Sequence, residues 1–228
     1  MTPKCLQDIT HNAKTKHYPN GLCKTSVCSR AVYREDGWEE RNPVHDKREK
    51  PQNPENPARA DSMHRARTKV FDIAMMNDFT HFVTWTLDKA CIDRYDPAEV
   101  SRKLKTFLKN KVSRNALKYL VIGEHHKDSA IHMHGLISGN VKLLDSGKRT
   151  ERGQPIYNMP EWKLGFSTAI PTYGDAEHIA KYITKYITKD FQKIFGNYYY
   201  AGGDIVRDVP YTLHDMDYYR VDAKEYSV

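Results

Sequence analysis

Downstream of residue 78 the hydrophobic positions alternate, then recur at helical spacing, then alternate again. Phe79 to Leu87 (Phe-Thr-His-Phe-Val-Thr-Trp-Thr-Leu) is β-branched and aromatic with a period of two, which predicts a strand. Asp96 to Val112 places Val100, Leu104, Phe107, Leu108 and Lys111 at helical spacing. Pro97 falls in the first turn, where its missing N–H has no helical partner to lose. Tyr119 to Gly123 and Ile131 to Ser138 read as two further strands, and Phe166 to Ile170 as a fourth. Between them, Gly139 to Pro160 is a glycine- and charge-rich excursion, a long hairpin or loop. Asp175 to Phe191 carries Ile179, Tyr182, Ile183, Tyr186 and Ile187 on one helical face. Strands interleaved with helices in this order predict an α+β fold around a largely antiparallel sheet.

The first sixty residues lack this periodicity. Asn42 to Ala60 (NPVHDKREKPQNPENPARA) is a polar, proline-spaced run that cannot bury a core and reads as a linker. The expected organisation is a poorly ordered N-terminal extension over 1–61, the main domain over 62–200 and a C-terminal tail over 201–228. Within the extension, Cys5, Cys23 and Cys28 sit near His11 and His17, so a small zinc site is conceivable. The Cys23–Cys28 spacing is loose, however, and no second tight pair follows. Free thiols in the leader are the simpler reading.

Composition narrows the partners. The chain has 36 basic and 29 acidic residues, a net charge of +7 and a pI near 9.1, which favours an anionic partner such as nucleic acid. Fifteen of its residues are tyrosines, rings able to stack on bases while keeping one edge in water. The N-terminal stretch has no apolar segment typical of a secretory signal, and no run approaches the roughly 18 apolar residues of a membrane span. The reading is a cytoplasmic protein with reduced cysteines and no membrane partner.

Candidate chemistry lies on the third strand and the last helix. His132 and His134 are two residues apart on a strand, so their imidazoles share a face while Met133 points to the core. Glu124 closes the preceding strand, and the hairpin His125 to Ala130 brings it back beside the pair. Two imidazoles and a carboxylate suit Mg²⁺ or Mn²⁺ and leave coordination positions open for a substrate oxygen. On the helix, the unit Lys-Tyr-Ile-Thr occurs twice in succession, so Tyr182 and Tyr186 lie one turn apart, with His178 a turn earlier. Lys181, Lys185 and Lys189 form a stripe beside them. A phenol near such a metal, with lysines to accommodate negative charge, can attack phosphorus and remain covalently attached. Each feature also has a bland reading: a satisfied histidine pair, and an amphipathic Tyr/Ile face with a solvated lysine stripe.

Taken in order, Phe82-Val83-Thr84-Trp85-Thr86, Ile131-His132-Met133-His134-Gly135-Leu136-Ile137 and Tyr182-Ile183-Thr184-Lys185-Tyr186 resemble motifs I, II and III of the HUH superfamily. These are the rolling-circle replication initiators of small plasmids, single-stranded DNA viruses and phages. The doubled tyrosine resembles the two-tyrosine branch. The resemblance runs from about Ser62 to Asp190. It implies an RRM-like, about five-stranded antiparallel sheet flanked by helices, with the histidines on the central strand. It implies a divalent cation held by His132 and His134, with Glu124 (or else His125 or His126) as third ligand. It further implies nucleophiles Tyr182 and Tyr186, a phosphate contact at Lys185, and a 5′-phosphotyrosine link that leaves a priming 3′-hydroxyl.

The substrate implied is single-stranded or hairpin origin DNA. Phosphate contacts are expected from Arg65, Arg67, Lys69, Lys181 and Lys189, and from the basic helix of Lys103, Lys105, Lys109 and Lys111. Trp85, Phe82 or Trp162 are candidates for base stacking, unless the motif I aromatics fill the core. Gly147-Lys148 lacks both the upstream glycine and the Ser/Thr of a phosphate-binding loop, so strand separation would fall to a host helicase and synthesis to a host polymerase. A transposase or mobilisation relaxase would use the same chemistry. A non-enzymatic DNA-binding regulator on an RRM-like sheet would need neither the histidines nor the tyrosines.

Overall fold

The computed structural model describes residues 10–34, 57–174, 176–187 and 193–218. The chain divides into two units, one of residues 55–208 and one that joins the leader to residues from 209 onward. In the smaller unit, Thr10–His11 (β1), Ala13–His17 (β2), Cys23–Val27 (β3) and Tyr33–Arg34 (β4) are short and polar. β1 pairs with β4, and β2 pairs with both β3 and Tyr211–His214 at the other end of the chain. Ala13 and Tyr18 are its buried apolar side chains, in keeping with a leader too polar to build a core. Cys5 lies outside the described residues. Cys23 and Cys28 are free thiols; Cys23 Sγ sits 3.3 Å from His17 Nδ1.

The larger unit opens with a helix, Pro57–Met76 (α1), that begins inside the stretch expected to be linker. Its buried stripe of Ala66, Val70, Ile73 and Ala74, flanked by Phe71 and Met75, is what a packed helix requires. His81–Leu87 (β5) leads to Pro97–Asn115 (α2), whose first turn is closed by the Asp96 carboxylate accepting the Ala98 N–H at 2.8 Å. Lys118–His125 (β6) and Ile131–Ser138 (β7) form a hairpin. The excursion expected as a long hairpin or loop supplies Leu144–Arg149 (β8) and Pro155–Asn158 (β9). Gly165–Pro171 (β10) is followed by Ala176–Thr184 (α3), a 3₁₀ turn over Lys185–Ile187, and the edge strand Tyr200–Gly202 (β11); Tyr211–His214 is β12.

The α+β fold with a large antiparallel sheet agrees with the sequence expectation, and the sheet has seven strands rather than about five. The order is β11-β6-β7-β5-β10-β9-β8, with β8, β9 and β11 extending it beyond the four strands legible in the hydrophobic pattern. The helix expected over 175–191 ends as an α-helix at Thr184 and tightens to 3₁₀ at Lys185.

Alternation assigns the two sheet faces. Val83, Trp85 and Leu87 of β5, Val121 of β6, Ile131, Met133 and Ile137 of β7 and Ala169 of β10 face α2 and pack with its Val100, Leu104 and Leu108. Trp85 and Trp162 stack within this core, 5.2 Å apart, and the Trp162 indole N–H donates to the Thr86 carbonyl. These two tryptophans are thus core, not platforms for bases. Lys111 of α2 is likewise buried, in an ion pair with Glu161, and so drops out as a phosphate contact. Lys103, Lys105 and Lys109 are exposed on α2, across the sheet from the histidines. On the opposite face Leu120, Ile122 and Leu136 are buried where α1 meets β6 and α3 meets β7.

Leu104 is fully buried at the centre of the α2 face. Leu104→Ala is expected to destabilise the chain by about 2–5 kcal/mol in urea unfolding, with the sheet spectrum retained; a loss well under that range would mean α2 does not close the core.

Candidate functional site

The site is built where β7 turns its polar side away from α2. The register sets His134 between Ile122 of β6 and Thr84 of β5, and His132 between Glu124 and Thr86. The Glu124 side chain leans along the strand, so that His134 Nε2 lies 2.9 Å from its Oε2. Thr84 Oγ1 lies 3.2 Å from His134 Nδ1, so both ring nitrogens are engaged. Glu124 and His134 are each only 12% exposed, and a hydrogen bond so shielded from water gains strength.

The His132 ring lies against that of His126, centroids 4.6 Å apart and nearly parallel. Burial lowers its pKa, with a smaller contribution from His126, so the neutral imidazole is favoured. His126 is itself held by Asp128 in the hairpin turn, and His125 turns back to the Ser129 carbonyl. Between these two, only His126 approaches His132.

The tyrosines cover this surface. The Tyr186 ring stacks on His134 with centroids 3.9 Å apart and planes at 16°. Phe82 of β5 flanks both tyrosines, edge-on to Tyr182 at 5.2 Å and roughly parallel to Tyr186 at 6.1 Å. The Tyr186 hydroxyl donates to the Tyr182 hydroxyl at 2.9 Å. Tyr182 is 42% exposed, whereas Tyr186 is half-buried. Burial pushes the Tyr186 pKa well above the ordinary phenol range, and its hydrogen bond to Tyr182 and the nearby Glu124 carboxylate push it the same way. The Lys185 ammonium lies 5.9 Å from the Tyr182 ring centroid.

Of the expected residues, Glu124, His134, Tyr182 and Tyr186 are thus brought together, with His132 next along the strand and Lys185 beside Tyr182. Lys181 pairs with Glu177 one turn back on α3, at 2.6 Å, and Lys189 lies outside the described residues. His178 is exposed on α3. Two imidazoles and a carboxylate on neighbouring strands are the right donors for a divalent cation. Their arrangement here is a hydrogen-bonded one: among the described residues no three His, Cys, Asp or Glu side chains converge as a ligand cluster.

Arg65 and Lys69 stand one turn apart on α1 and line a groove of about 520 Å³ with Lys193, Tyr198 and Arg207. Lys69 donates to the Arg207 carbonyl at 2.7 Å and pairs with Asp208 at 3.1 Å. Arg67 is half-buried; its Nε is shielded without a hydrogen-bond partner among the described residues, and burial lowers its pKa. Three residues that matter to the site were not singled out for it in the sequence: Thr84 as the partner of His134, Thr86 opposite His132, and Phe166, 71% exposed on β10. Each was accessible through strand parity once the core face was known.

Residues 80–191 match the family model of the replication-associated protein ORF2 group. The match covers just under half of the 228 residues, from the start of β5 past Tyr186, and so contains every residue of the histidine–tyrosine cluster. The similarity is to replication proteins, and it omits α1, the groove cations and the leader. Neither the curated proteins nor the solved structures contain a match to the chain. No described helix is long and apolar enough to cross a membrane.

With its pKa raised, Tyr186 is expected to contribute no phenolate at neutral or mildly alkaline pH. Phenolate absorbance of the wild type and of Tyr186→Phe should superimpose up to a pH of about 10. An additional tyrosine titrating in the wild type below that pH would take Tyr186 out of the half-buried stack.

Proposed function

We propose that the chain is a replication initiator that nicks and rejoins single-stranded origin DNA through a covalent 5′-phosphotyrosine intermediate, as the two-tyrosine HUH enzymes do. The observation that carries this reading is the contact of Tyr186 with His134 and with Tyr182, two phenol oxygens 2.9 Å apart above a histidine–carboxylate pair. A regulator that merely bound DNA would have no use for that arrangement. The match to replication-associated proteins supports the replication setting over the transposase and relaxase alternatives.

In this reading Tyr182 attacks first. It faces solvent, and its oxygen accepts the Tyr186 hydrogen bond, which stabilises the charge that grows as its proton leaves. Its oxygen bonds to phosphorus, the 3′-oxygen departs to prime synthesis, and Lys185 offsets negative charge on the phosphate. Tyr186 serves the second transfer, which joins the strand. Glu124, His132 and His134 would hold the divalent cation, Mg²⁺ or Mn²⁺, whose chemistry is to neutralise the scissile phosphate. A cation there would replace the Glu124–His134 hydrogen bond. Host helicase and polymerase would act on the opened strand in the bacterial cytoplasm.

Arg65 and Lys69, with Lys193 and Arg207, would track the DNA backbone away from the reacting phosphate. Four cations along one groove suit a polyanion, and the groove tyrosine Tyr198 offers a ring beside them.

The chemical claim is tested with labelled single-stranded origin DNA and Mn²⁺, reading a protein–DNA band that survives SDS. The band is expected in the wild type. It should vanish with chelator, with His132→Ala plus His134→Ala, and with Tyr182→Phe plus Tyr186→Phe. Of the single changes, Tyr182→Phe should slow the first cleavage more. An adduct that persists in the double tyrosine variant would sink the nucleophile assignment.

The groove is tested separately by salt titration of single-strand binding. Arg65→Ala with Lys193→Ala should flatten the dependence of log Kd on log salt by about 0.7 for each phosphate no longer neutralised. An unchanged slope would remove the groove from the DNA path.

A further inference from the structure

Parity on β10 is set by its buried members. Ala169 is fully buried in the α2 core, and the Ser167 hydroxyl is tied to the Met159 backbone, so Phe166, Thr168 and Ile170 face the other way, toward the histidine side of the sheet. Register then aligns four strands. Phe166 lies opposite Thr86, Thr86 opposite His132, and His132 opposite Glu124. With neighbouring strands about 4.8 Å apart, Phe166 stands roughly 10 Å from His132 along that row. Its ring is 71% exposed, the most of any large hydrophobic side chain among the described residues.

A single exposed apolar side chain is ordinary by itself. Phe166 differs in its placement and in how firmly its backbone is held. Gly165 has a φ of +150°, and a Cβ there would collide with the Thr86 carbonyl, so β10 approaches β5 as closely as backbone allows. The same carbonyl accepts the Trp162 indole N–H, and the Asp88 N–H donates to Leu164 on the other side of the glycine. A ring on such a backbone is ordered before any ligand arrives.

We propose that Phe166 is the stacking platform for one unpaired base of the DNA strand whose phosphate lies at Tyr182 and His134; this rests on the single-stranded DNA reading above. One isolated ring among the threonine side chains of residues 84, 86 and 168 is far too small for an apolar protein interface, which takes many residues on each side. A base needs only one π-face, and a net charge of +7 suits the backbone that carries it. Phe166 is a positioning residue: it touches a base beside the reacting phosphate and orients the strand, without taking part in bond making. Trp85 and Trp162 are buried and Phe82 is half-buried against the tyrosines, so none of the three can take this role.

The test uses the full chain carrying Tyr182→Phe and Tyr186→Phe, so that binding is read without cleavage. The probes are an oligothymidylate and an abasic deoxyribose-phosphate strand of the same length and charge. Phe166→Ala should weaken oligothymidylate binding about 5- to 140-fold and leave the abasic strand unchanged, whereas Phe166→Trp should keep base discrimination. A 5-iodouracil-substituted strand should photocrosslink to the peptide bearing Phe166. Equal loss for both strands, no loss for either, or no binding of oligothymidylate at all would each overturn the platform. Because chemistry is not read, base-dependent binding can persist even when the wild type forms no adduct, which would fail the nucleophile reading alone. An adduct without base discrimination at Phe166 would fail the platform alone.

Discussion

The close approach of β5 and β6 to β7 is the constraint on which both core and site depend, and it is made possible at Gly135. A Cβ at that position would meet the Leu120 carbonyl oxygen at 2.9 Å and the Val121 and Val83 methyls at 3.1 and 3.4 Å, from the strands on either side. Without it the three strands close up. On one face this packs Val83, Met133 and Val121 beneath α2. On the other it draws Thr84 and Glu124 into hydrogen-bond range of His134 from opposite sides. A side chain at 135 would push apart the two strands that carry the histidine's partners. The residue that matters most to the geometry of the site therefore has no chemistry of its own.

Much of this was legible in the hydrophobic pattern, for a physical reason. Strands β5, β6 and β7 each present one unbroken apolar face to the core, so a period of two is enough to find them. Ile131 to Ser138 is recovered with both ends. α2 is equally plain because Val100, Leu104 and Leu108 fall on one stripe. α1 was obscured by its charges: Arg65, Arg67 and Lys69 interrupt the eye, and the buried Ala66 that begins its stripe lies among them. β8 and β9 have too few buried positions to impose a period, since they are largely exposed edge strands. For the site, spacing alone sufficed to bring His132, His134 and Glu124 to one surface. The assignment of Trp85 and Phe166 to opposite faces required knowing which parity α2 covers, and that is tertiary information.

Charged and polar groups are disposed differently on the two sides of the sheet. Beneath α2 the Lys111–Glu161 pair is enclosed by aromatic rings, and breaking one partner would strand the other in the core. Around His134 the polar groups instead form a chain open at one end. Tyr186 lies over the histidine and screens the Glu124–His134 hydrogen bond from water. The carboxylate in turn opposes ionisation of the phenol above it. The cover and the pair beneath it hold each other in their resting protonation states.

That mutual restraint separates two residues which the sequence makes equivalent. The repeated Lys-Tyr-Ile-Thr units would put both tyrosines in identical surroundings on an ideal helix, four residues apart. The helix does not remain ideal: it tightens to 3₁₀ at Lys185, where Ile187 is buried and the Tyr186 ring meets His134. Tyr182, still on α3, keeps its ring edge-on to Phe82 and its oxygen toward solvent. One phenol is thus a half-buried donor whose proton is retained, and the other is an exposed acceptor next to a lysine. A symmetric repeat becomes an asymmetric pair through one change of helical pitch, and a pair of unlike phenols is what two successive transfers at one phosphate require if they are to occur in order.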